Sequence, residues 1–344
     1  MHSEKIILNE ERNVSLTVYL QEVGGEFQHV KKRPSVLILP GGGYQMCSDR
    51  EADPVAVGYL KAGYHVFILR YSVKEEAAWP NPLSDYEQAM ELIRSNEDTW
   101  NLYADKIAVV GFSAGGHLAG CAATMSKNRP NAAILGYAVL NEEVKMCNPS
   151  APEVISKVSY DTCPCFIFAS RTDSVVSVAN SVQFMNALIE HDVSFESHIY
   201  AYGPHGFSTG DTSVQSRDTD MCSRIENWVG DSVGWLRDIL GDFGSDGMTK
   251  PACKGHVKDD GADFLSVDCT MAVLMKNEAA HVIINPILNS MQQAIAGDAG
   301  VNATDEAVLS VIAKLKLRDL LFHVGVETED VERMNEQLLQ IPNK

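Results

Sequence analysis

Short apolar runs recur along the first part of the chain and predict the strands of a buried sheet. Nearly continuous apolar runs occur at residues 36–39, 64–71, 107–110, 133–140 and 165–170. Runs of this kind are typical of central strands in a parallel sheet, where both faces are covered. Residues 6–8 and 14–20 instead alternate apolar and polar side chains, which predicts an antiparallel hairpin at one edge of the sheet. Residues 194–200 alternate in the same way and predict a further strand.

Segments with helical spacing of apolar residues separate these runs. They cover residues 54–62, 83–95, 114–123, 178–190 and 221–240. Asp49 or Asp53 is the predicted N-cap of the first helix, and Gly63 ends it. Because strands alternate with helices, the pattern predicts an α/β fold with a mostly parallel central sheet and helices on both faces.

The composition changes after residue 243. Residues 244–262 are rich in Gly, Asp and Lys and contain few apolar side chains, which predicts a linker. Helical periodicity then returns in residues 271–276, 281–291, 305–317 and 331–341. We therefore predict an α/β domain over residues 1–243 and a small all-helical module over 263–344. Packing on the first domain and self-association into a homo-oligomer are the two roles open to that module.

The charge balance narrows the class of partner. The chain has 344 residues, with 28 basic and 46 acidic side chains and a net charge of −18. Because nucleic acid and anionic membranes would be repelled, neither is expected as a partner, and a neutral or weakly charged substrate fits this charge better. The N-terminal residues do not have the pattern of a signal peptide, and no apolar run reaches transmembrane length. The eight scattered cysteines are interpreted as free thiols, so a cytoplasmic location is predicted.

A serine motif lies between a predicted strand and a predicted helix. Residues 107–110 lead into 111–115, which have the pattern Gly-x-Ser-x-Gly. This is the pattern of a sharp turn that holds a nucleophilic serine at the end of a buried strand. At Gly111 and Gly115 a β-carbon would collide with the neighbouring strand or helix. The N-terminus of the next helix would direct N–H groups and partial positive charge at a group bonded to Ser113.

Three glycines, residues 41–43, follow Pro40 at the end of the apolar run at residues 36–39. A flexible loop is one interpretation; the other is a backbone that approaches a reacting carbonyl and points N–H groups at it. Where such a serine turn is catalytic, one N–H comes from a glycine loop and another from the residue after the serine. We therefore predict an oxyanion hole made by Gly42 or Gly43 with Ala114. The loss of one such donor costs about 10²–10³ in rate.

A serine nucleophile needs a base to take its proton and an acid to orient that base. Asp173 follows the strand at residues 165–170, and His205 follows the strand at 194–200. Both therefore lie at the same sheet edge as Ser113, where active sites form in open parallel sheets. The chain order Ser, Asp, His is also the order that this kind of serine turn uses.

Other acidic and imidazole side chains are weaker candidates. Asp161 precedes its strand and so would lie at the opposite edge of the sheet. His198 lies inside a strand and His191 in a turn, where surface or packing roles are expected. His117, in the first turn of the helix after the serine, is predicted to orient the glycine loop through a hydrogen bond. His65 begins a buried strand and is predicted to be a core histidine.

Several short motifs together resemble the α/β-hydrolase superfamily, in particular bacterial acetylesterases and acetylxylan esterases related to the hormone-sensitive-lipase group. They are LPGGGY (39–44), SDRE (48–51), LRY (69–71), GFSAGGHLA (111–119), DSVV (173–176) and PHGF (204–207). The resemblance covers about residues 1–243 and implies the α/β-hydrolase fold, a triad of Ser113, His205 and Asp173, and no metal or organic cofactor. Tyr44 and Val176, which lie within these motifs, are candidates for contacts with the substrate.

Two features depart from the family pattern. Pro40 stands where the wider superfamily often has His, although Pro is common in the branch named. Residues 141–162 are shorter than the segment that usually contributes a lid or pocket wall, so the helical module is an alternative cover for the site.

These observations predict a serine carboxylesterase that removes short acyl groups, acetyl above all, from a carbohydrate such as an acetylated xylo-oligosaccharide. An amidase, peptidase or arylformamidase-like hydrolase on the same triad is the alternative enzyme. An inactive hydrolase scaffold that serves as a binding module is the alternative from another class.

Overall fold

The computed structural model describes residues 1–257, 264–285 and 312–343. The chain divides into two compact units, Met1–Gly255 and His256–Lys344.

The first unit is built on one eight-stranded sheet. The strands are β1 His2–Asn9, β2 Val14–Leu20, β3 Arg33–Leu39, β4 His65–Arg70, β5 Leu102–Phe112, β6 Ala132–Gly136, β7 Cys165–Ser170 and β8 Phe195–Tyr200. Their order across the sheet is β1-β2-β4-β3-β5-β6-β7-β8. The β1–β2 and β2–β4 pairs are antiparallel, and all the other pairs are parallel. The predicted edge hairpin and parallel centre are therefore confirmed.

Five α-helices cover this sheet on both faces. They are α1 Asp53–Lys61, α2 Asn81–Ser95, α3 Ser113–Thr124, α4 Ala179–Glu190 and α5 Trp228–Leu240. Apolar residues of α2, α3 and α4 pack with Leu37 and Leu39 on one face. Those of α1 and α5 pack with Val36 and Ile38 on the other. Because neighbouring strand residues point to opposite faces, a continuous apolar run is what two covered faces require.

The observed elements differ from the predicted ones at several ends. The predicted N-cap of α1 is wrong: Ala52 occupies that position, and Asp53 is the first helical residue. The Asp53 carboxylate instead accepts a hydrogen bond from Tyr19 Oη at 2.5 Å. The helix predicted over 221–240 is divided into a 3₁₀ turn, Ser223–Asn227, and α5.

The first unit extends past the predicted boundary at residue 243. Two short strands, β9 Phe243–Gly244 and β10 Gly247–Met248, pair in antiparallel fashion. The N–H of Ser194 donates to Gly255 O at 2.9 Å, which joins the segment to the start of β8. Part of the predicted linker therefore belongs to the first unit, whereas residues 258–263 lie outside the described residues.

The second unit has a small apolar core of its own. The helices within its described residues include α6 Met271–Lys276, α7 Leu317–His323 and α8 Thr328–Leu338, and residues 278–285 are helical as well. Of the helices predicted at 281–291 and 305–317, the described residues 281–285 and 312–314 are helical, and residues 286–311 lie outside the described residues. Within the part of the chain that the structure describes, no helix is long and apolar enough to cross a bilayer.

Candidate active site

Ser113 occupies a strained turn between β5 and α3. Its φ of +51° lies in the left-handed region that L-residues rarely adopt. A β-carbon on Gly115 would lie 2.1 Å from Leu39 O, and one on Gly111 would lie 2.2 Å from Gly115 O. The two glycines therefore allow β3, β5 and α3 to approach closely enough to form the turn.

Three side chains that are distant in sequence form one hydrogen-bonded line. His205 Nδ1 donates to Asp173 Oδ2 at 2.7 Å, and His205 Nε2 lies 2.9 Å from Ser113 Oγ. A carboxylate only accepts, so the proton of a neutral His205 lies on Nδ1 and leaves Nε2 as the acceptor for the Ser113 hydroxyl. The Asp173 side chain is 1% exposed and that of His205 is 17% exposed. An imidazole that is partly open to solvent is thus oriented by a buried carboxylate.

The turn after β7 holds the Asp173 carboxylate in place. The N–H groups of Val175 and Val176 donate to Asp173 Oδ1 at 2.8 and 2.9 Å. The Val176 side chain is buried, whereas that of Val175 is 69% exposed. Val176 therefore holds Asp173 through its backbone N–H. Because the Val176 side chain is buried, little of its surface is accessible for the predicted contact with the substrate.

The glycine loop after β3 lies against the serine turn. A β-carbon on Gly41 would lie 3.1 Å from Ser113 Cβ, and one on Gly42 would lie 2.2 Å from Met46 O. Gly42 and Gly43 have φ values of +131° and +61°, which favour glycine. The N–H of Gly41 donates to Glu51 Oε2 at 2.7 Å. Gly41 is therefore occupied, and Gly42 and Gly43 remain as the loop's candidate donors.

Tyr44 anchors this loop and is not available to a substrate. Its side chain is 0% exposed, and its hydroxyl lies 2.7 Å from His117 Nδ1. His117 Nε2 lies 2.7 Å from Pro152 O, to which it donates. Burial lowers the pKa of His117 to about 4, so the ring is neutral and accepts the Tyr44 hydroxyl proton at Nδ1. The substrate contact expected of Tyr44 is thus wrong, and His117 has the predicted kind of hydrogen bond to the loop.

Glu51 is a residue of this site that the sequence analysis did not single out. Its side chain is 4% exposed, although it lies only two residues from the exposed Asp49. Tyr137 Oη donates to Glu51 Oε1 at 2.6 Å. Burial raises the pKa of this carboxyl, which the bonds from Tyr137 and Gly41 oppose. The SDRE motif held the only sequence signal, because the partners of Glu51 come from other elements.

The weaker candidates lie away from this line of side chains. Asp161 is exposed and precedes β7. His191 bonds Ala187 O at the end of α4, and His198 pairs with Glu196 and stacks on Phe166. His65 is buried at the start of β4 and accepts the Gln21 N–H at 3.1 Å.

Among the residues that the structure describes, no group of three His, Cys, Asp or Glu side chains is arranged to hold an ion.

Comparisons with protein-family profiles and with solved structures find proteins similar to this chain. The sequence profile of the BD-FAE family matches residues 25–151, which include the glycine loop and the serine turn. The solved structure of MGS-M1, an α/β hydrolase from a Medee basin deep-sea metagenome library, is 41% identical. It superposes with a TM-score of 0.67 and covers 70% of this chain and 98% of its own.

Two curated relatives are much longer proteins. Endo-1,4-beta-xylanase B of Butyrivibrio fibrisolvens is 31% identical over 211 residues, which are 52% of this chain and 33% of the relative. The acetylxylan esterase of Xylanibacter ruminicola is 29% identical over 199 residues, which are 51% of this chain and 41% of the relative. The chain thus spans less than half the length of either one.

Proposed function

The chain belongs to the α/β-hydrolase superfamily, and from that premise we propose that it is a serine carboxylesterase with Ser113, His205 and Asp173 as its catalytic triad. The observation that carries the proposal is the unbroken line from Ser113 Oγ through the imidazole to Asp173 Oδ2, with distances of 2.9 and 2.7 Å. Each member has the neighbour that its role requires, because the base faces the nucleophile and the acid faces the base.

In the first half-reaction, His205 Nε2 takes the Ser113 proton as Oγ attacks the ester carbonyl. Asp173 holds the ring and stabilises the imidazolium that forms. The tetrahedral intermediate collapses, the alcohol leaves with the proton from Nε2, and an acyl-serine remains. Water then attacks the acyl carbon, giving its proton to Nε2, and the acid leaves as Ser113 recovers its proton.

The developing oxyanion needs hydrogen-bond donors that are already in place. Ala114 lies in the first turn of α3, whose N–H groups have no partner within the helix. Gly42 and Gly43 supply donors from the loop that packs against Ser113. The positive end of the α3 dipole adds to the same stabilisation.

For the substrate we propose a short acyl ester, acetyl above all, of a carbohydrate such as a xylo-oligosaccharide. Two relatives named for work on xylan or its acetyl esters support this class. The net charge of −18 also favours an uncharged alcohol part over a polyanion.

The test replaces Ser113 with Ala and follows hydrolysis of p-nitrophenyl acetate. We expect the variant to lose about 10⁴-fold or more in kcat, because no other group supplies the nucleophile. Labelling by a fluorophosphonate at Ser113 of the folded wild-type protein should accompany the loss. Undiminished turnover in the variant would refute the assignment.

The substrate class needs its own assay. Acetylated xylo-oligosaccharides should lose acetyl groups, seen by mass spectrometry, faster than formanilides or dipeptides are cleaved. A preference for formanilide would favour the arylformamidase-like alternative, and a preference for long-chain lipid esters would contradict the carbohydrate proposal.

A further inference from the structure

Glu51 connects two parts of the site that come from different regions of the chain. Its Oε2 accepts the N–H of Gly41, at the start of the glycine loop, at 2.7 Å. Its Oε1 accepts the hydroxyl of Tyr137, just after β6, at 2.6 Å. The Tyr137 ring in turn packs edge-on against the imidazole of His205, with ring centroids 5.1 Å apart. A single carboxylate thus lies between the oxyanion loop and the base.

The backbone around this connection is strained and needs support from the tertiary structure. Tyr137 and Ser208 both have positive φ, +35° and +53°. The N–H of Ser208 donates to Tyr137 Oη at 3.1 Å, and the Ser208 carbonyl accepts Trp228 Nε1–H at 2.8 Å. The Tyr137 hydroxyl therefore joins Glu51 to the loop that carries His205.

Glu51 also places a second carboxyl near the imidazole. The charged or titratable groups that face the Glu51 carboxyl are Tyr137, Tyr71, Arg50 and His205. Arg50 donates to Gly206 O, beside His205, so its positive charge opposes that of the imidazolium. Two donors on two different oxygens favour the ionised carboxylate, even though burial raises its pKa.

We propose that Glu51 is a positioning residue that fixes the oxyanion loop and the His205 ring together and stabilises the imidazolium with its charge. The proposal rests on the proposed function, because it assumes that His205 is the base. It assigns no direct contact with the substrate to Glu51.

Three variants separate charge from contact. Glu51→Gln keeps the shape, removes the charge and replaces one of the two accepting oxygens with an amide nitrogen that only donates, and Glu51→Asp keeps the charge and shortens the reach to Gly41 and Tyr137. Asp85→Asn is the matched control: Asp85 is a fully buried carboxylate that bonds Ser72 and Arg12, outside the triad and the glycine loop. Melting temperature and kinetics with p-nitrophenyl acetate are measured for each.

For Glu51→Gln we expect kcat to fall about 10-fold or more with little change in KM, because the lost interaction matters most in the charged transition state. The acidic limb of the kcat/KM profile should move down by about one pH unit, since imidazolium loses a neighbouring negative charge. Glu51→Asp should have a lower kcat than wild type, with the acidic limb of its kcat/KM profile at the wild-type pH. Asp85→Asn should lower the melting temperature and leave the limb unchanged.

An unmoved limb in Glu51→Gln would overturn the charge part of the proposal, and an unchanged kcat would overturn the positioning part. If Glu51→Gln does not fold, Tyr137→Phe breaks the same connection and keeps the ring against His205. A fall in its kcat of about 5-fold or more is expected, and wild-type kcat would contradict the proposal.

A titration followed by NMR makes failure of this proposal distinguishable from failure of the proposed function. The His205 Cε1–H signal, assigned with His205→Asn, should titrate at lower pH in Glu51→Gln than in wild type, whether or not an ester is hydrolysed. If wild type hydrolyses no ester, the proposed function fails while this shift still tests Glu51. An identical titration in the two proteins would overturn the role of its charge.

Discussion

Single residues in this molecule show how burial decides which protonation state is usable. Tyr44 and His117 are both fully buried, and each satisfies the other with one hydrogen bond. His65 is buried at the start of β4, away from the triad, and burial lowers its pKa to about 4. His205, the proposed base, keeps partial access to solvent. Histidines of one chain thus serve as neutral structural groups or as a proposed proton carrier according to their surroundings.

The lowered pKa of His65 leads to a prediction about stability. Its pKa of about 4 in the folded state lies below the ordinary value of 6.5, so the unfolded chain takes up the proton first as the pH falls. The contribution of the neutral, buried His65 to the free energy of unfolding is complete above pH 6.5. It is lost as the pH falls toward 4, and about 2 kcal/mol of it has been lost at pH 5. We expect His65→Asn, which keeps an acceptor for the Gln21 N–H, to reduce the loss of unfolding free energy between pH 7 and pH 5 by that amount.

Urea unfolding at pH 7 and pH 5 measures this difference. His191→Asn, at an exposed histidine at the end of α4, is the control and should keep the wild-type dependence. A wild-type pH dependence in His65→Asn would show that His65 does not titrate as proposed.

Where β3, β5 and α3 meet, their arrangement depends more on close contact between backbones than on the packing of side chains. Gly111 and Gly115 lie at that junction, and the glycine loop begins one residue after β3 ends. Because the loop's path is set by the same contacts, the proposed oxyanion donors and the proposed nucleophile are positioned by one packing arrangement. The glycines in the exposed part of α5 have no such neighbours.

This contrast predicts opposite effects of one chemical change. In Gly115→Ala the new β-carbon would lie 2.1 Å from Leu39 O and 2.4 Å from Pro40 O, so β3 and the loop must move. We expect a loss of about 2 kcal/mol or more in unfolding free energy, with a fall in kcat. Gly230→Ala in α5, where no atom lies within 4 Å, should gain about 0.5–1 kcal/mol with unchanged kcat.

Thermal unfolding and initial rates on p-nitrophenyl acetate check both variants. If Gly115→Ala were as stable as wild type, β3 and the glycine loop could move without cost. That result would contradict the prediction drawn from the backbone contacts of Gly115.

At the scale of the whole molecule, each of the two units has an apolar core of its own. The cores on the two sheet faces contain residues no later than Leu240, and the core of the second unit begins at Leu265. MGS-M1, an α/β hydrolase, is matched over 98% of its length by 70% of this chain. The first unit therefore has the parts that a folded hydrolase needs.

A fragment that ends at Gly255 tests this independence. We expect it to unfold cooperatively and to keep kcat for p-nitrophenyl acetate within about 3-fold of the full chain, because the triad and glycine loop are complete within it. Circular dichroism, thermal unfolding and kinetics on the two proteins provide the comparison. A folded fragment without turnover would show that the second unit contributes to the site.

The sequence by itself determined the strands, the helices that alternate with them, and the sheet edge at which Ser113, Asp173 and His205 lie. These follow from local information, since apolar periodicity and the ends of parallel strands need no knowledge of distant partners. The division of the helix predicted over 221–240 and the extension of the first unit to Gly255 depend on contacts with other elements.

Only the tertiary structure decided which other residues support the site at that sheet edge, and through which contacts. Tyr44 is buried against His117, Val176 gives its backbone to Asp173, and Glu51 joins Gly41 to Tyr137. Two of these contacts, Tyr44 with His117 and Glu51 with Tyr137, join residues 73 and 86 positions apart along the chain. Whether a polar side chain faces solvent, a substrate or a buried partner depends on the packing of elements that local sequence does not specify.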